Sequence, residues 1–322
     1  MKYSGLIIGL GQIGMGYDYK HAPEKYILTH AQAIQAHPDF ELIGGVDISS
    51  KSREKFGEKF NKPTFTEINA VKSTEDVDIV VVSVPTEIHL ETINNIATQF
   101  SPKLILIEKP LSFLFEESQK IVRILKEKNV PIAVNYIREY EPAHRKIFEK
   151  IKSNELGYPL KAVCWYSKGL INSGSHFIQL LSNFMGAVIE INIINGGRRW
   201  DGFDPEPSLE LIYEKGHAYL LPVAEENYSL FEMELIGPKG KIKYYNGGSH
   251  YDWWHVNTDT VFNEYKKLEA EPLTTNTKMN KYQYYVYNNI AEYFEGNSDL
   301  HCDGKAAFKT AQVLDKIQQK LN

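Results

Sequence analysis

Leu6-Ile7-Ile8-Gly9-Leu10-Gly11-Gln12-Ile13-Gly14 decides the fold of this 322-residue chain. Three apolar residues in succession read as a short strand covered on both faces. The glycines at 9, 11 and 14 then follow the G-x-G-x-x-G spacing, with a helix-like stretch behind them. A strand before and a helix after are what make this common pattern a dinucleotide-binding turn instead of an empty glycine loop. The first glycine permits the tight turn, the second lets backbone approach a pyrophosphate, and the third allows close helix–strand packing. Gly9, Gly11, Gln12, Ile13 and Gly14 are the expected pyrophosphate-binding residues.

The second half of the fingerprint is an acid ending the next strand, and Glu41-Leu42-Ile43-Gly44-Gly45-Val46-Asp47 supplies it. Asp47 is placed to accept hydrogen bonds from the adenosine ribose hydroxyls; a helix-capping role is the plainer alternative. A carboxylate there repels a 2′-phosphate, so NAD is favoured over NADP, and Lys51 and Arg53 soften that preference. The glycines lie further from this acid than the usual spacing of about 20 residues. The surplus falls in Tyr17 to Thr29, which contains Pro23 and so reads as an inserted loop near the pyrophosphate end.

The chain is long enough for two domains with real cores. Its net charge of −5 gives no bulk attraction to nucleic acid or to an anionic membrane. No apolar run approaches the roughly 20 residues that span a bilayer, and Met1-Lys2-Tyr3-Ser4-Gly5 has no signal-peptide build, so the expected compartment is the cytoplasm. Cys164 and Cys302 are the only cysteines, and they form neither a disulfide framework nor a metal spacing. The histidines likewise show no metal-ligand spacing, so no metal is expected.

The first part alternates strands (Gly5–Gly9, Glu41–Asp47, Ile79–Val84, Leu104–Glu108, Pro131–Asn135) with helices (Ala31–Ala36, Ser52–Phe60, Glu87–Gln99, Glu116–Lys128). Such repetition predicts an α/β, doubly wound parallel sheet, a Rossmann domain over residues 1–137. Its ligand crevice lies at the carboxyl ends of the strands. After Asn135 the pattern changes. A helix near Pro142–Ser153, another at Ser175–Met185 and six strand-like stretches between Lys161 and Tyr244 predict an α+β domain over 138–322. Its sheet should be open and predominantly antiparallel, and two helices near Asn280–Glu295 and Asp303–Lys320 close it. Trp253-Trp254 and the tyrosines 282, 284, 285, 287 and 293 read as core or interface.

Two strand ends should open into the crevice: Val84-Pro85-Thr86-Glu87-Ile88-His89 and Glu108-Lys109-Pro110. A lysine after a buried strand must reach water, a carboxylate or a ligand. Lys109 is therefore a candidate substrate clamp and proton relay, although it could also snorkel to the surface. Pro85, Thr86, His89, Glu108 and Lys109 are the expected lining of the nicotinamide half. In the second domain, Asn172-Ser173-Gly174-Ser175-His176 precedes an apolar helix face. His176 is the natural general base near neutral pH, against the plainer reading of a capping histidine. Gly196-Gly197-Arg198-Arg199-Trp200 could hold a diphosphate or stack a base, though a solvated turn is the simpler account.

Together these segments resemble the glucose–fructose oxidoreductase/inositol dehydrogenase/rhizopine-catabolism (Gfo/Idh/MocA) family. The likeness rests on the glycine turn, the Pro-Thr-x-x-x-His segment, Glu108-Lys109-Pro110, Asn135 before Arg138, Glu155-Leu156-Gly157 and Gly174-x-His176. It implies a nicotinamide cofactor, NAD with NADP also admitted, and carbohydrate-like substrates. It also implies homodimers or homotetramers packed through the second-domain sheet. On the resemblance, Lys109 matches the family's active-site lysine, His176 its catalytic histidine and Asn135 a site-lining position. Two departures stand out, Asn172 and Gln179, where the family often carries aspartate. Asparagine cannot take a proton, so Asn172 is left to hold a substrate hydroxyl or orient His176. The same asparagine is similar to that of the branch oxidising C3 of UDP-linked amino sugars. The expected activity is a sugar or nucleotide-sugar dehydrogenase. The alternatives are an NAD-using glycoside hydrolase of the same fold and a non-enzymatic dinucleotide-binding sensor, against which the retained Lys109 and His176 argue.

Overall fold

The computed structural model describes residues 2–71 and 77–321. In the first part β1 (Tyr3–Ile8), α1 (His30–Ala36), β2 (Phe40–Val46), α2 (Ser50–Phe60), β3 (Thr64–Phe65), β4 (Ile79–Val82), α3 (His89–Gln99), β5 (Leu104–Ile107), α4 (Phe115–Glu127) and β6 (Ile132–Val134) follow one another. The six strands form one parallel sheet in the order β3-β2-β1-β4-β5-β6. That is the doubly wound dinucleotide-binding order, with the reversal of direction between β1 and β4. β4 and β5 are buried along their whole length, because helices cover both faces and every side chain must be apolar. β3, only two residues long, carries too little pattern to be seen in sequence.

The second part contains α5 (Pro142–Lys152), β7 (Leu160–Tyr166), α6 (Ser175–Met185), β8 (Val188–Trp200), β9 (Asp204–Tyr213), β10 (Gly216–Pro222), β11 (Phe231–Gly237), β12 (Gly240–Tyr245), β13 (His250–Thr258), β14 (Lys266–Leu268) and β15 (Leu273–Asn276), before α7 (Tyr282–Phe294) and α8 (Gly304–Leu321). The sheet runs β14-β13-β12-β11-β7-β10-β9-β8, with β15 beside β13. β7 and β10 are parallel and the other described pairs antiparallel. Alternation is clean: Phe231, Met233 and Leu235 of β11 are buried and Glu232 and Glu234 are not, as a sheet with one packed face requires. Trp253 is buried in this core while Trp254, its neighbour, is only half-buried. Among the described residues, no helix is long and apolar enough to cross a membrane.

Two compact units result: residues 1–140 with 280–312, and residues 141–279 with 313–322. The change of pattern in the sequence had placed everything after 137 in one domain, but α7 packs in the first unit. The reason lies in its tyrosine stripe. Tyr287 is fully buried, edge-on to Phe40 at 5.3 Å and to His30 at 6.0 Å. The stripe is core of the first unit. In the second unit, Phe177 of α6 is fully buried and stacks on Phe231 of β11, with ring centroids 3.9 Å apart. Phe177→Ala should cost about 3–5 kcal/mol of stability, measured by urea unfolding of the full chain; a loss below about 1 kcal/mol would contradict the packing described.

Candidate active site

The glycine turn is held from both flanks. Gly9 has φ +98°, and a Cβ there would lie 2.5 Å from the Ser83 carbonyl carbon and oxygen, so the end of β1 approaches the end of β4 only because residue 9 has no side chain. Ser83 Oγ donates to Gly9 O at 2.7 Å. At Gly14 a Cβ would fall 2.2 Å from Gly9 O. Gly11 differs: it is exposed, and a Cβ would meet nothing within 4 Å. Gly9 and Gly14 close the turn, and Gly11 leaves bare backbone where a pyrophosphate would pass. The turn continues as a single π-type turn, Gln12–Gly16, whose leading N–H groups have no preceding carbonyl to reach. These features fit a dinucleotide phosphate.

Behind that turn comes the insertion, and it is pinned. The fully buried Asp18 carboxylate accepts from Leu28 N at 2.6 Å, Thr29 N at 3.0 Å and Thr29 Oγ1 at 2.6 Å. Lys59 Nζ donates to Asp18 O and Tyr19 O. The α1 helix therefore starts at His30, thirteen residues later than an uninterrupted helix after Gly16 would.

Asp47 lies half-buried at the carboxyl end of β2. Its Oδ2 accepts from Leu10 N at 2.7 Å and its Oδ1 from Ser49 N at 2.8 Å. The cap of α2 is Ser49, not Asp47. A carboxylate has about four lone-pair sites, so two bonds fix its orientation and leave acceptors for ribose hydroxyls. Arg53 Nη1 donates to Asp47 O at 2.6 Å and Ile48 O at 3.0 Å, which puts a guanidinium beside the same loop.

At the ends of β4 and β5, Pro85 is exposed and Thr86, Glu108 and Lys109 are half-buried. His89 is not part of that lining. It is fully buried, with Nδ1 3.1 Å from Leu111 O and Nε2 3.1 Å from Val84 O. It sits between the two strand-end loops, and a neutral ring donates to one of these carbonyls. Asn135 also reaches the site only indirectly: 1% exposed, it donates from Nδ2 to Glu108 Oε1 at 2.5 Å and to Gln283 Oε1 at 3.1 Å. Gln283 Nε2, a donor, and Tyr287 Oη each lie 3.0 Å from His30 Nδ1. That nitrogen therefore accepts, and Nε2–H donates to Glu108 Oε1 at 2.9 Å. Sequence reasoning missed His30, Gln283 and Tyr287, since they join Glu108 from two distant helices with no shared motif.

In the second unit His176 is 7% exposed in the first turn of α6, edge-on to Phe231 at 6.1 Å. Asn172 is half-buried in a π-type turn, Leu170–Gly174, that runs into α6. It precedes the helix and does not start it. Gln179 is buried on α6. Arg198 and Arg199 are not a diphosphate loop. They lie within β8, Arg198 is bound to Glu206 and Glu226, and Arg199 Nη1 donates to Phe203 O. Two carboxylates already neutralise the Arg198 charge. A cleft of about 750 Å³ among Val122, Lys126, Pro131, Tyr293, Asp303 and Phe308 opens at the start of β6. That is the edge of the sheet opposite Gly9 and Asp47, and it takes no part in this site.

A parallel sheet in this order, with a glycine turn and an acid at its switch point, is the arrangement of a dinucleotide-binding Rossmann domain. Residues 5–136 match the family described as "Oxidoreductase family, NAD-binding Rossmann fold". Over this stretch, less than half of its length, the chain is similar to the Gfo/Idh/MocA oxidoreductase family. It is similar to 4-carboxy-2-hydroxymuconate-6-semialdehyde dehydrogenase of Sphingobium sp., 21% identical over 62% of this chain and 68% of the relative. It is also similar to scyllo-inositol 2-dehydrogenase (NAD(+)) of Bacillus subtilis, 26% identical over 58% of this chain and 50% of the relative. The fold matches that of the WlbA dehydrogenase of Bordetella pertussis, solved with NADH and UDP-GlcNAcA, at a TM-score of 0.78 and 14% identity, covering 99% of this chain and 95% of that one.

Burial holds the His89 imidazolium below its ordinary range. The unfolded chain takes up this proton near pH 6.5, before the buried ring does. The His89 contribution to stability is therefore whole above about pH 6.5 and is lost as pH falls from there through the lowered native value. His37, also buried and lowered, adds in the same sense. Wild type should lose thermal stability as pH falls from about 7 to 5, and His89→Gln should show a shallower loss over that range; equal slopes would contradict the buried neutral ring.

Proposed function

We propose that this protein is a nicotinamide-dependent oxidoreductase that acts on a secondary alcohol of a sugar or nucleotide sugar. The observation that carries the reading is Glu108-Lys109 at the carboxyl end of β5, on the same sheet edge as the glycine turn and Asp47. Its carboxylate is fixed by buried His30 and Asn135. A bound nicotinamide would accept the hydride from the carbinol carbon at C4. Gly9, Gly11, Gln12, Ile13 and Gly14 hold pyrophosphate, Asp47 holds ribose, and Pro85, Thr86 and Glu108 line the nicotinamide half. Lys109 stabilises negative charge developing on the reacting oxygen. His176 takes the hydroxyl proton on its imidazole, and Asn172 holds a substrate hydroxyl without titrating. The inositol dehydrogenase relative and the fold shared with a UDP-sugar dehydrogenase support the substrate class.

Arg53 beside Asp47 supports use of NADP next to NAD, since its guanidinium offers unused donors to a 2′-phosphate. The proposal extends to a cytoplasmic homodimer or homotetramer. Apolar Trp165, Tyr219 and Ile236, 39%, 40% and 47% exposed on one face of the second sheet, support packing through that face.

UDP-N-acetylglucosamine, UDP-glucuronic acid, dTDP-glucose, myo-inositol and D-glucose, each with NAD and with NADP, form the direct screen, read as absorbance of reduced coenzyme. Lys109→Ala and His176→Ala should each lower turnover about 10²–10⁴-fold while NADH binding survives; wild-type rates in both would remove the assignment. Release of free sugar without net coenzyme reduction would point to the hydrolase instead. Arg53→Ala should weaken NADPH binding about tenfold while sparing NADH, by fluorescence titration; an equal effect on both would exclude Arg53 from the choice of coenzyme.

A further inference from the structure

The turn that carries Asn172 is shaped by acids that the reading above does not use. Asp204 and Glu206 open β9, 4% and 1% exposed. Asp204 Oδ1 accepts from Ile171 N and Oδ2 from Asn172 N, both at 2.8 Å. Glu206 Oε1 accepts from Gly169 N at 3.2 Å. Three amides of one short turn thus end on two carboxylates. Gly169 has φ +81°, and a Cβ there would fall 2.1 Å from Asp204 Oδ2, so the residue is glycine because the acid packs against it. Ser173 N and Gly174 N then both return to Gly169 O at 3.1 Å, which closes the turn and starts α6 at Ser175.

A buried negative charge is costly unless paired; Asp204 is met by two turn amides, and Glu206 by Arg198. Its Nε donates to Glu206 Oε2 at 2.7 Å, while Nη1 and Nη2 grip Glu226 at 2.9 and 2.8 Å. Arg198 is 46% exposed, so its charge is reached from outside while its effect falls on a buried acid. Burial, and then the charges of Glu206 and Asp204, push the Tyr166 hydroxyl far above its ordinary range. That hydroxyl donates to Pro207 O at 2.7 Å, fastening the strand that bears both acids.

We propose that Asp204, Glu206 and Arg198 are positioning residues that hold the turn 169–174 and so set where Asn172 and His176 stand. The inference rests on the reading of His176 as proton acceptor and Asn172 as substrate holder. Arg198 acts at one remove, through Glu206 and then the Gly169 amide. A bidentate carboxylate on two successive N–H groups fixes backbone more tightly than a single capping oxygen, and small displacements of a reacting group are expensive in rate.

Hydrogen exchange on the full chain tests the clamp without a substrate. Arg198→Met and Asp204→Asn should each speed exchange in 169–176 about tenfold while 9–16 stays as in wild type. Glu226→Gln, which touches only the exposed end of Arg198, serves if either variant fails to fold, and should loosen the same segment to a smaller degree. With the probe sugar that yields reduced coenzyme in the screen, Arg198→Met should lower kcat about 10–100-fold and raise KM for the sugar, with the affinity for NADH within about twofold. Unchanged exchange in 169–176 would overturn the proposal, as would a kcat that follows only a general loss of folded protein. His176→Ala assayed alongside separates the two readings. If it is fully active, the proton-acceptor assignment falls. If it is inactive while Arg198→Met keeps wild-type kcat, the clamp falls.

Discussion

The contact between Gly9 and the Ser83 backbone is the constraint on which the first unit depends. The two strands on either side of the topological switch, β1 and β4, end against each other there, and no side chain fits between them. The Ser83 hydroxyl holds the turn from the β4 side, and Asp47, through Leu10 N, holds it from the β2 side. The acid expected to bind ribose thus also fixes the loop that would bind pyrophosphate. Asp47 is a structural residue as well as the proposed ribose acceptor, and its two internal bonds fix how its carboxylate is oriented.

A second theme is common to both units. Each brings a candidate reactive group to a strand or helix end beside hydrogen-bonded acids, half-buried in the first unit and buried in the second. In the first unit Glu108 is bound by His30 and Asn135, themselves tied to Gln283 and Tyr287. In the second, Asp204 and Glu206 collect three amides and an arginine. Leaving one member of such a set unpaired costs about 3–5 kcal/mol, so these networks have few alternative arrangements. That rigidity is what a hydride-transfer site needs of its scaffold.

Most strands of the first unit were legible because short, wholly apolar runs such as Ile79–Val82 and Leu104–Ile107 alternate with helical patterns, as buried parallel strands do. The glycine turn, Asp47 and Lys109 followed, since they sit at ends fixed by those runs. Other features depend on pairings that distance along the chain conceals. The return of α7 to the first unit shows only in Tyr287 and Gln283, and a tyrosine stripe does not say which core it fills. His89 belonged to a recognisable segment, yet its burial between Val84 O and Leu111 O could not be read from spacing. Arg198 read as a loop cation because its partners, Glu206 and Glu226, lie 8 and 28 residues away. Strands β14 and β15, short and largely exposed, carry no periodicity strong enough to announce them.

Calorimetric titration of the full chain with NADH and with NADPH tests the central claim most directly. The account predicts one site per chain for a reduced nicotinamide coenzyme, with Asp47→Ala weakening NADH about tenfold or more through loss of the ribose acceptors and of the bond to Leu10 N. Absence of measurable affinity for either coenzyme would contradict it.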